Sequence, residues 1–277
     1  MKICDIKQRA LGVLGENFSQ TLIVMLLYLA TYFGLTVAEA IAMTATIGGE
    51  LTKEIINANL PIFFMIMGIR YIVEFLVISP LNIGTTWWLI HASRGETNNI
   101  GHIFICFKNI KIYVKSILLC AEITMAKILL SIPVIICVYI LNLLSEFAIK
   151  DIGNSGNYIL LSVCCTLIMI FLIGMVLWIT LGFELCNPIF SLDPDRKIRE
   201  IILASISAMK NNKIKMIKLM LSFIGWFAAS VFVVPLFFVI PYFAMSYAVL
   251  VNDIMSRELY LSSGALGRRY LTYNSLR

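Results

Sequence analysis

Four charged residues interrupt long apolar stretches of the sequence: Arg70, Glu74, Glu122 and Lys127. A charged side chain costs a few kcal/mol at the centre of a bilayer, so such residues are usually paired or functional. Arg70 and Glu74 are four positions apart and share one face of a helix, where they can pair. Counting about 1.5 Å per residue from the predicted outer helix ends places Glu74 and Lys127 at a similar depth.

The four charges support two interpretations. As a polar cavity they would serve a translocated solute or proton, and the protein would be a small transporter or channel. As paired charges they would lock the packing of neighbouring helices. We favour the second interpretation, because opposite charges are expected at matching depth.

A second group of charged residues, Lys210, Lys213 and Lys215, follows an amphipathic stretch. Lysines next to apolar runs are attracted to anionic lipid headgroups. These three lysines therefore form a candidate interaction surface for lipid headgroups or for other membrane proteins. The sequence contains no motif for reading RNA or DNA, so we expect no nucleic-acid partner.

Recognisable catalytic motifs are absent from the sequence. The aspartates lie at or beyond the ends of the apolar stretches, and the two histidines, His91 and His102, are predicted to be interfacial. No HExxH metal motif, Walker phosphate loop or Gly-x-Ser-x-Gly elbow occurs, and the seven cysteines form no CxxC pair. We therefore expect a non-enzymatic protein without cofactor or metal.

The composition predicts which elements carry these residues. The chain of 277 residues is 60% hydrophobic and 14% charged, with a mean hydropathy of +0.91. Soluble domains have about 45–50% apolar and about 25% charged residues. Both differences indicate a chain surrounded by lipid, and the long apolar runs predict an all-α polytopic membrane protein.

A spanning helix needs about 20 mostly apolar residues. Six stretches meet this requirement, near residues 21–44, 61–90, 113–143, 158–183, 216–234 and 236–252. The last two form one apolar run that Pro235 and Pro241 interrupt, which favours two helices joined by a tight outer turn over a single span. Residues 1–256 would then form one membrane domain and residues 257–277 a cytoplasmic tail.

The basic residues predict the orientation of the spans. Only Lys53 and Lys150 fall in the predicted outer loops, and only Arg70 and Lys127 lie deep within spans. Every other lysine and arginine lies on the side of the N-terminus. Because positive charge is retained in the cytoplasm, both termini are predicted to be cytoplasmic, which requires an even number of spans.

Two amphipathic stretches, residues 1–18 and residues near 194–212, are predicted to lie in the plane of the inner interface. Before the second stretch, Asp193 and Pro194 favour a helix start with Asp193 as the N-cap. Each stretch ends in a polar corner that contains asparagine, and a similar corner precedes the third span. This pattern favours three units of in-plane helix plus hairpin; alternatively, any basic corner before a span would look the same.

Three motifs in the last third of the chain resemble one known family. Residues 209–213 (Met-Lys-Asn-Asn-Lys), residues 222–226 (Ser-Phe-Ile-Gly-Trp) and Pro241-Tyr242 are similar to an uncharacterised bacterial integral membrane family, domain-of-unknown-function family 975. Asn211 stands where that family usually has glycine, and Phe18 stands where tryptophan is common. The resemblance implies a multi-pass protein of the bacterial plasma (inner) membrane and supplies no activity.

Overall fold

A computed structural model describes residues 2–47, 59–96, 99–150, 155–229 and 233–261. These residues contain helices and short turns and no strand, which confirms the prediction of an all-α fold. Nine α-helices are described: α1 Ile3–Ile47, α2 Leu60–Ala92, α3 Ile110–Lys150, α4 Ser155–Thr180, α5 Cys186–Leu192, α6 Ile198–Met209, α7 Lys213–Leu221, α8 Ile224–Ala229 and α9 Val233–Leu261. Two 3-10 helices, Ile100–Lys108 and Leu181–Phe183, precede α3 and α5.

Five helical segments in the described part of the chain are long and apolar enough to cross a membrane. They are Ile3–Thr46, Leu60–Ala92, Ile110–Glu146, Ile159–Leu192 and Pro235–Arg257. The first three contain the predicted first to third spans, the fourth contains all but residue 158 of the predicted fourth span, and the fifth contains the whole of the predicted last span. The prediction of a polytopic helical membrane protein is therefore confirmed at this level.

Helix α1 bends at Asn17, whose φ of −122° and ψ of 23° are not helical. Side chains at the bend donate to backbone carbonyls there. The Asn17 side-chain amide donates to the Val13 carbonyl, and the Thr21 hydroxyl donates to the Asn17 carbonyl. Three side chains before the bend are buried: Ile6, Ala10 and Leu14. The bend separates the predicted amphipathic stretch from the predicted first span. Whether that stretch lies in a membrane plane stays a prediction.

The fourth apolar segment is longer than predicted. Helix α4 passes through the 3-10 helix Leu181–Phe183 into α5, so the segment extends to Leu192. The predicted limit at residue 183 marks a break in the segment, not its end. Glu184 consequently lies within the segment, between α4 and α5.

The predicted span 216–234 is not one continuous helix. It contains most of α7 and all of α8, which are separated at Ser222 and Phe223, while residues 230–232 lie outside the described part. The last turn of α7 tightens, since the Phe223 amide donates to the Met220 carbonyl three residues back, and the Phe223 side chain turns into the core. Neither α7 nor α8 is among the five segments long and apolar enough to cross a membrane.

Helix α6 begins later than predicted. Asp193 to Arg196 form a turn, and the helix starts at Ile198 after Lys197. The N-cap assignment for Asp193 was therefore wrong, because the chain uses this turn to leave α5. Within α6, four residues of the predicted apolar stripe are buried: Ile201, Ser205, Ala208 and Met209.

The buried side chains gather in one region, which we call the packed body. It comprises residues 3–24 of α1, residues 80–92 of α2, the 3-10 helix Ile100–Lys108, α5, α6, α7 and residues 242–255 of α9, with a few residues of α3. By contrast, the most apolar stretches of α3 and α4 contain no buried residue, whereas half of the corresponding stretch of α9 is buried. The packed body therefore positions most of the polar contacts described below.

Candidate functional site

The structure divides the four predicted charged residues between separate contacts. The Arg70 guanidinium lies between two carboxylates: its Nε is 3.2 Å from Oε2 of Glu39, and its Nη2 is 3.2 Å from Oε2 of Glu74. The pair of Arg70 with Glu74 was predicted from their spacing. Glu39 lies near residue 44, the predicted end of the first span, and its role as the partner on α1 was not predicted.

These three residues form a cluster that joins α1 to α2, and their side chains are largely buried. Two tyrosine rings border the guanidinium, with centroids 5.8 Å (Tyr32) and 5.3 Å (Tyr71) away. Neither Arg70 Nε nor Glu74 Oε2 has a hydrogen-bond partner of good geometry. The cluster is therefore held mainly by Coulombic attraction, which is stronger away from water.

Lys127 does not meet Glu74. Its Nζ is 3.9 Å from Oε1 of Glu184, and both side chains of this pair are at least a third exposed. Helix α3 already meets α2 near its own start, where the Tyr113 hydroxyl donates to the Leu76 carbonyl at 3.2 Å. Lys127 lies about four turns farther along α3, so the count from straight antiparallel helices misplaced it.

Glu122 is exposed and makes no ion pair within the described part of the chain. The four predicted residues thus do not form one ion-paired group. Arg70 and Glu74 share one cluster with Glu39, Lys127 pairs with Glu184, and Glu122 stands apart.

Three lysines donate to backbone carbonyls of other elements. Lys7 Nζ is 3.0 Å from the Ser222 oxygen, Lys115 Nζ is 2.5 Å from the Pro194 oxygen, and Lys213 Nζ is 2.8 Å from the Trp178 oxygen. Hydrogen bonds from a charged donor are stronger than neutral ones. Two of these acceptors, Trp178 and Ser222, lie where a helix ends or breaks.

The break between α4 and α5 is surrounded by side-chain donors. Besides Lys213, the Ser205 hydroxyl donates to the Gly182 carbonyl at 2.7 Å, and the Tyr247 hydroxyl donates to the Glu184 carbonyl at 3.1 Å. Carbonyls that leave a helix at membrane depth need such partners, because lipid offers none. Residues from α6, α7 and α9 therefore stabilise this irregular backbone.

The break between α7 and α8 receives the ammonium of Lys7. In addition to the Ser222 carbonyl, Lys7 Nζ lies 4.2 Å from the centroid of the Phe223 ring and 6.0 Å from that of Tyr242. Phe223 is fully buried and Tyr242 nearly so. In the sequence, Phe223 and Tyr242 stood out only as parts of the family motifs, and nothing in the spacing brings residue 7 next to residue 222.

One of the three lysines of the predicted interaction surface is bound by the chain itself. Lys213 is committed to the Trp178 carbonyl and lies over the Trp178 ring at 5.3 Å. Lys210 is exposed and Lys215 is half-buried, while the neighbouring Lys218 is also exposed. These last three lysines make no side-chain hydrogen bond or ion pair with any other described residue.

Both histidines pack against the Trp87 ring, and their interfacial location stays a prediction. His91 is buried, its Nδ1 lies 2.9 Å from the Trp87 carbonyl oxygen, and its ring stacks on Trp87 at 3.9 Å. The centroid of the His102 ring, in the 3-10 helix Ile100–Lys108, lies 5.3 Å from that of Trp87. Among the described residues, no group of three or more histidine, cysteine or acidic side chains could hold a metal ion.

The packed body also changes the chemistry of a cysteine. Burial raises the pKa of the Cys106 thiol to about 12, with a smaller contribution from nearby Cys120. Cys106 lies in the 3-10 helix Ile100–Lys108, outside the segments that could cross a membrane. Its thiol therefore stays protonated at neutral pH.

The long apolar helices, with charged residues that pair between or within them, define a class: a polytopic helical membrane protein. Over residues 2–258 the chain matches the family described as Protein of unknown function (DUF975), and it belongs to that family. No curated protein and no solved structure matches the chain.

Proposed function

We propose that the protein is a non-enzymatic component of the bacterial plasma membrane that binds anionic lipid headgroups at the corner between α6 and α7. One observation carries the proposal. Lys210, Lys215 and Lys218 lack partners among the described residues, whereas the chain uses Lys7, Lys115 and Lys213 for its own backbone. Unpaired lysines at a membrane surface attract anionic headgroups by about 1 kcal/mol each.

The arrangement of α8 and α9 supports a cytoplasmic location for this corner. Only residues 230–232 separate the two helices in the sequence, and the Phe227 and Phe243 rings lie 5.6 Å apart, so the two helices pack against each other. The entry to α7 and the exit of α9 at Arg257 then favour the same side. With α7 and α8 as a broken fifth crossing, six crossings leave the basic residues and both termini in the cytoplasm.

The faces of α3 and α4 support interaction rather than catalysis. Their most apolar stretches contain no buried residue, so these helices offer extended surfaces to lipid chains or to other membrane proteins. Within the bilayer interior, α3 and α4 contact membrane-protein partners.

The lipid proposal can be tested by measuring thermal unfolding of the purified protein in mild detergent. Added phosphatidylglycerol is expected to raise the unfolding temperature more than phosphatidylcholine, and the difference should shrink as salt screens exposed charge. A variant with Lys210→Gln, Lys215→Gln and Lys218→Gln should lose most of this difference.

Lys213→Gln is the control, to be compared with each single substitution of the triple variant, since it removes one positive charge from the same corner but from a lysine that the chain itself binds. It should lower the unfolding temperature in both lipids, because Trp178 loses its donor, and it should keep the response to phosphatidylglycerol. A triple variant that responds to anionic lipid as strongly as the unmodified protein would refute the proposal.

Transport is the second candidate function, and the cluster of Arg70 with Glu39 and Glu74 favours it, because ionisable groups within apolar segments often mark proton or solute pathways. Proteoliposomes with a trapped pH-sensitive dye would report proton flux. Glu74→Gln should abolish a flux that uses this cluster, and Lys127→Met would test the second ion pair. Equal dye responses in protein-containing and protein-free vesicles, or unchanged flux in both variants, would exclude proton transport through these charges.

A further inference from the structure

We infer that the Ser222 carbonyl and the rings of Phe223 and Tyr242 form a binding site for a primary ammonium group, which the chain fills with its own Lys7. The site lies at the break between α7 and α8. Its ligand class is defined by two features of its walls, a hydrogen-bond acceptor and aromatic faces. We call it the ammonium cage.

The acceptor is the backbone carbonyl of Ser222, 3.0 Å from Lys7 Nζ. Ser222 closes the C-terminal end of α7, where unpaired carbonyls and the helix dipole give a partial negative charge. The break keeps this carbonyl out of a continuous helical ladder and available to a donor. A cation that carries an N–H is therefore favoured at this point.

The aromatic wall is the Phe223 ring, whose centroid lies 4.2 Å from Lys7 Nζ, with Tyr242 farther away at 6.0 Å. The face of an aromatic ring attracts cations within about 6 Å. Phe223 is held by edge contacts with Tyr242 at 4.9 Å and Phe243 at 5.2 Å. Because these neighbours belong to α9, the ring does not depend on Lys7 for its position.

The first part of α1 is held independently of the cage. Ile6, Ala10 and Leu14 are buried in the packed body on either side of Lys7 in the sequence. Removal of the Lys7 side chain should therefore leave this segment docked and open the cage. A small primary alkylammonium ion could then supply both the N–H donor and the charge.

Chemical rescue tests this inference on the full-length protein in mild detergent. Lys7→Ala should lower the unfolding temperature by about 2–6 °C, the range expected from the lost cation–π contact and hydrogen bond. Ethylammonium chloride should raise the unfolding temperature again by most of that amount. The effect should saturate, with a midpoint concentration in the millimolar range expected of so small a ligand. The unmodified protein should not respond, because Lys7 occupies its cage.

Sodium chloride controls for ionic strength, and tetramethylammonium chloride controls for charge without an N–H donor. Neither salt should reproduce the rescue. The inference is overturned if ethylammonium has no effect on Lys7→Ala, or if it stabilises the unmodified protein equally.

A double-mutant cycle covers the case in which Lys7→Ala cannot be purified. Lys7→Met keeps most of the side-chain volume, and Phe223→Leu removes the ring. Lys7→Met should lower the unfolding temperature by less in the Phe223→Leu background than in the unmodified protein. Phe227→Leu is the control, because the Phe227 ring packs on Phe243. The effects of Lys7→Met and Phe227→Leu on the unfolding temperature should add. If the effects of Lys7→Met and Phe223→Leu also add, the inference is overturned.

Discussion

The backbone of Gly84 in α2 lies directly against the carbonyl oxygen of Ile103: a β-carbon at position 84 would come within 1.8 Å of that oxygen. The obstacle is backbone, so no side-chain movement could relieve it. Gly84→Ala should therefore force α2 away from the 3-10 helix Ile100–Lys108 and destabilise the protein by about 3 kcal/mol. For a chain of this size that corresponds to a fall of roughly 6–12 °C in unfolding temperature.

Gly68→Ala is the matched control on the same helix. A β-carbon at Gly68 would meet nothing within 4 Å, and alanine favours the helical state over glycine by about 1 kcal/mol. Gly68→Ala should leave the unfolding temperature unchanged or slightly higher. Equal effects of the two substitutions would show that the close approach at Gly84 is wrong.

Asn252 of α9 ties the end of α2 to the packed body. Its amide donates to the Ile90 carbonyl at 3.2 Å and to the Ser93 hydroxyl, and its carbonyl oxygen accepts two hydrogen bonds from Arg94. Asn252→Ala removes these four hydrogen bonds between α9 and the end of α2 and should cost about 2–3 kcal/mol. Asn82→Ala, at an exposed position of α2, should change the free energy of unfolding by less than about 0.5 kcal/mol.

Apolar length and local spacing predicted much of this architecture. The first four apolar segments and the pairing of Arg70 with Glu74 follow from patterns within one helix, where a rise of about 1.5 Å per residue and 3.6 residues per turn apply. The stripe of α6 was predictable for the same reason.

Contacts between distant parts of the chain were not predictable in this way. Lys7 meets Ser222, and Lys213 meets Trp178, because a helix ends or breaks near each acceptor, and no spacing along the chain brings these residues together. Lys127 meets Glu184 because α3 crosses α2 near Tyr113, a geometry that no count along straight helices contains. Tertiary packing decided these partners, and the sequence carries no local signal for them.

Arg70 forms ion pairs with two carboxylates that belong to different helices, Glu39 of α1 and Glu74 of α2. Arg70→Gln should leave these like charges close together without a counter-charge, a situation that is strongly destabilising away from water. We expect a fall in unfolding temperature of roughly 5 °C in detergent.

Removing the stranded charges should reverse part of this loss. Adding Glu39→Gln and Glu74→Gln to Arg70→Gln should raise the unfolding temperature again, because no unpaired charge remains. Glu122→Gln, at an exposed position of α3, should have little effect. If Arg70→Gln behaved like Glu122→Gln, the cluster would not stabilise the contact between α1 and α2.

Cys106 should resist thiol reagents in the folded protein. Burial raises its pKa to about 12, so at pH 9 only about one thiol in a thousand is the reactive thiolate, and raising the pH from 7 to 9 should produce little labelling.

Cys4 is exposed and provides the comparison. Single-cysteine variants that retain either Cys106 or Cys4 can be treated with N-ethylmaleimide and analysed by mass spectrometry. Cys4 should be labelled in the folded protein and Cys106 only after unfolding in detergent such as dodecyl sulfate; equal labelling rates in the folded state would show that the 3-10 helix Ile100–Lys108 is not packed as described.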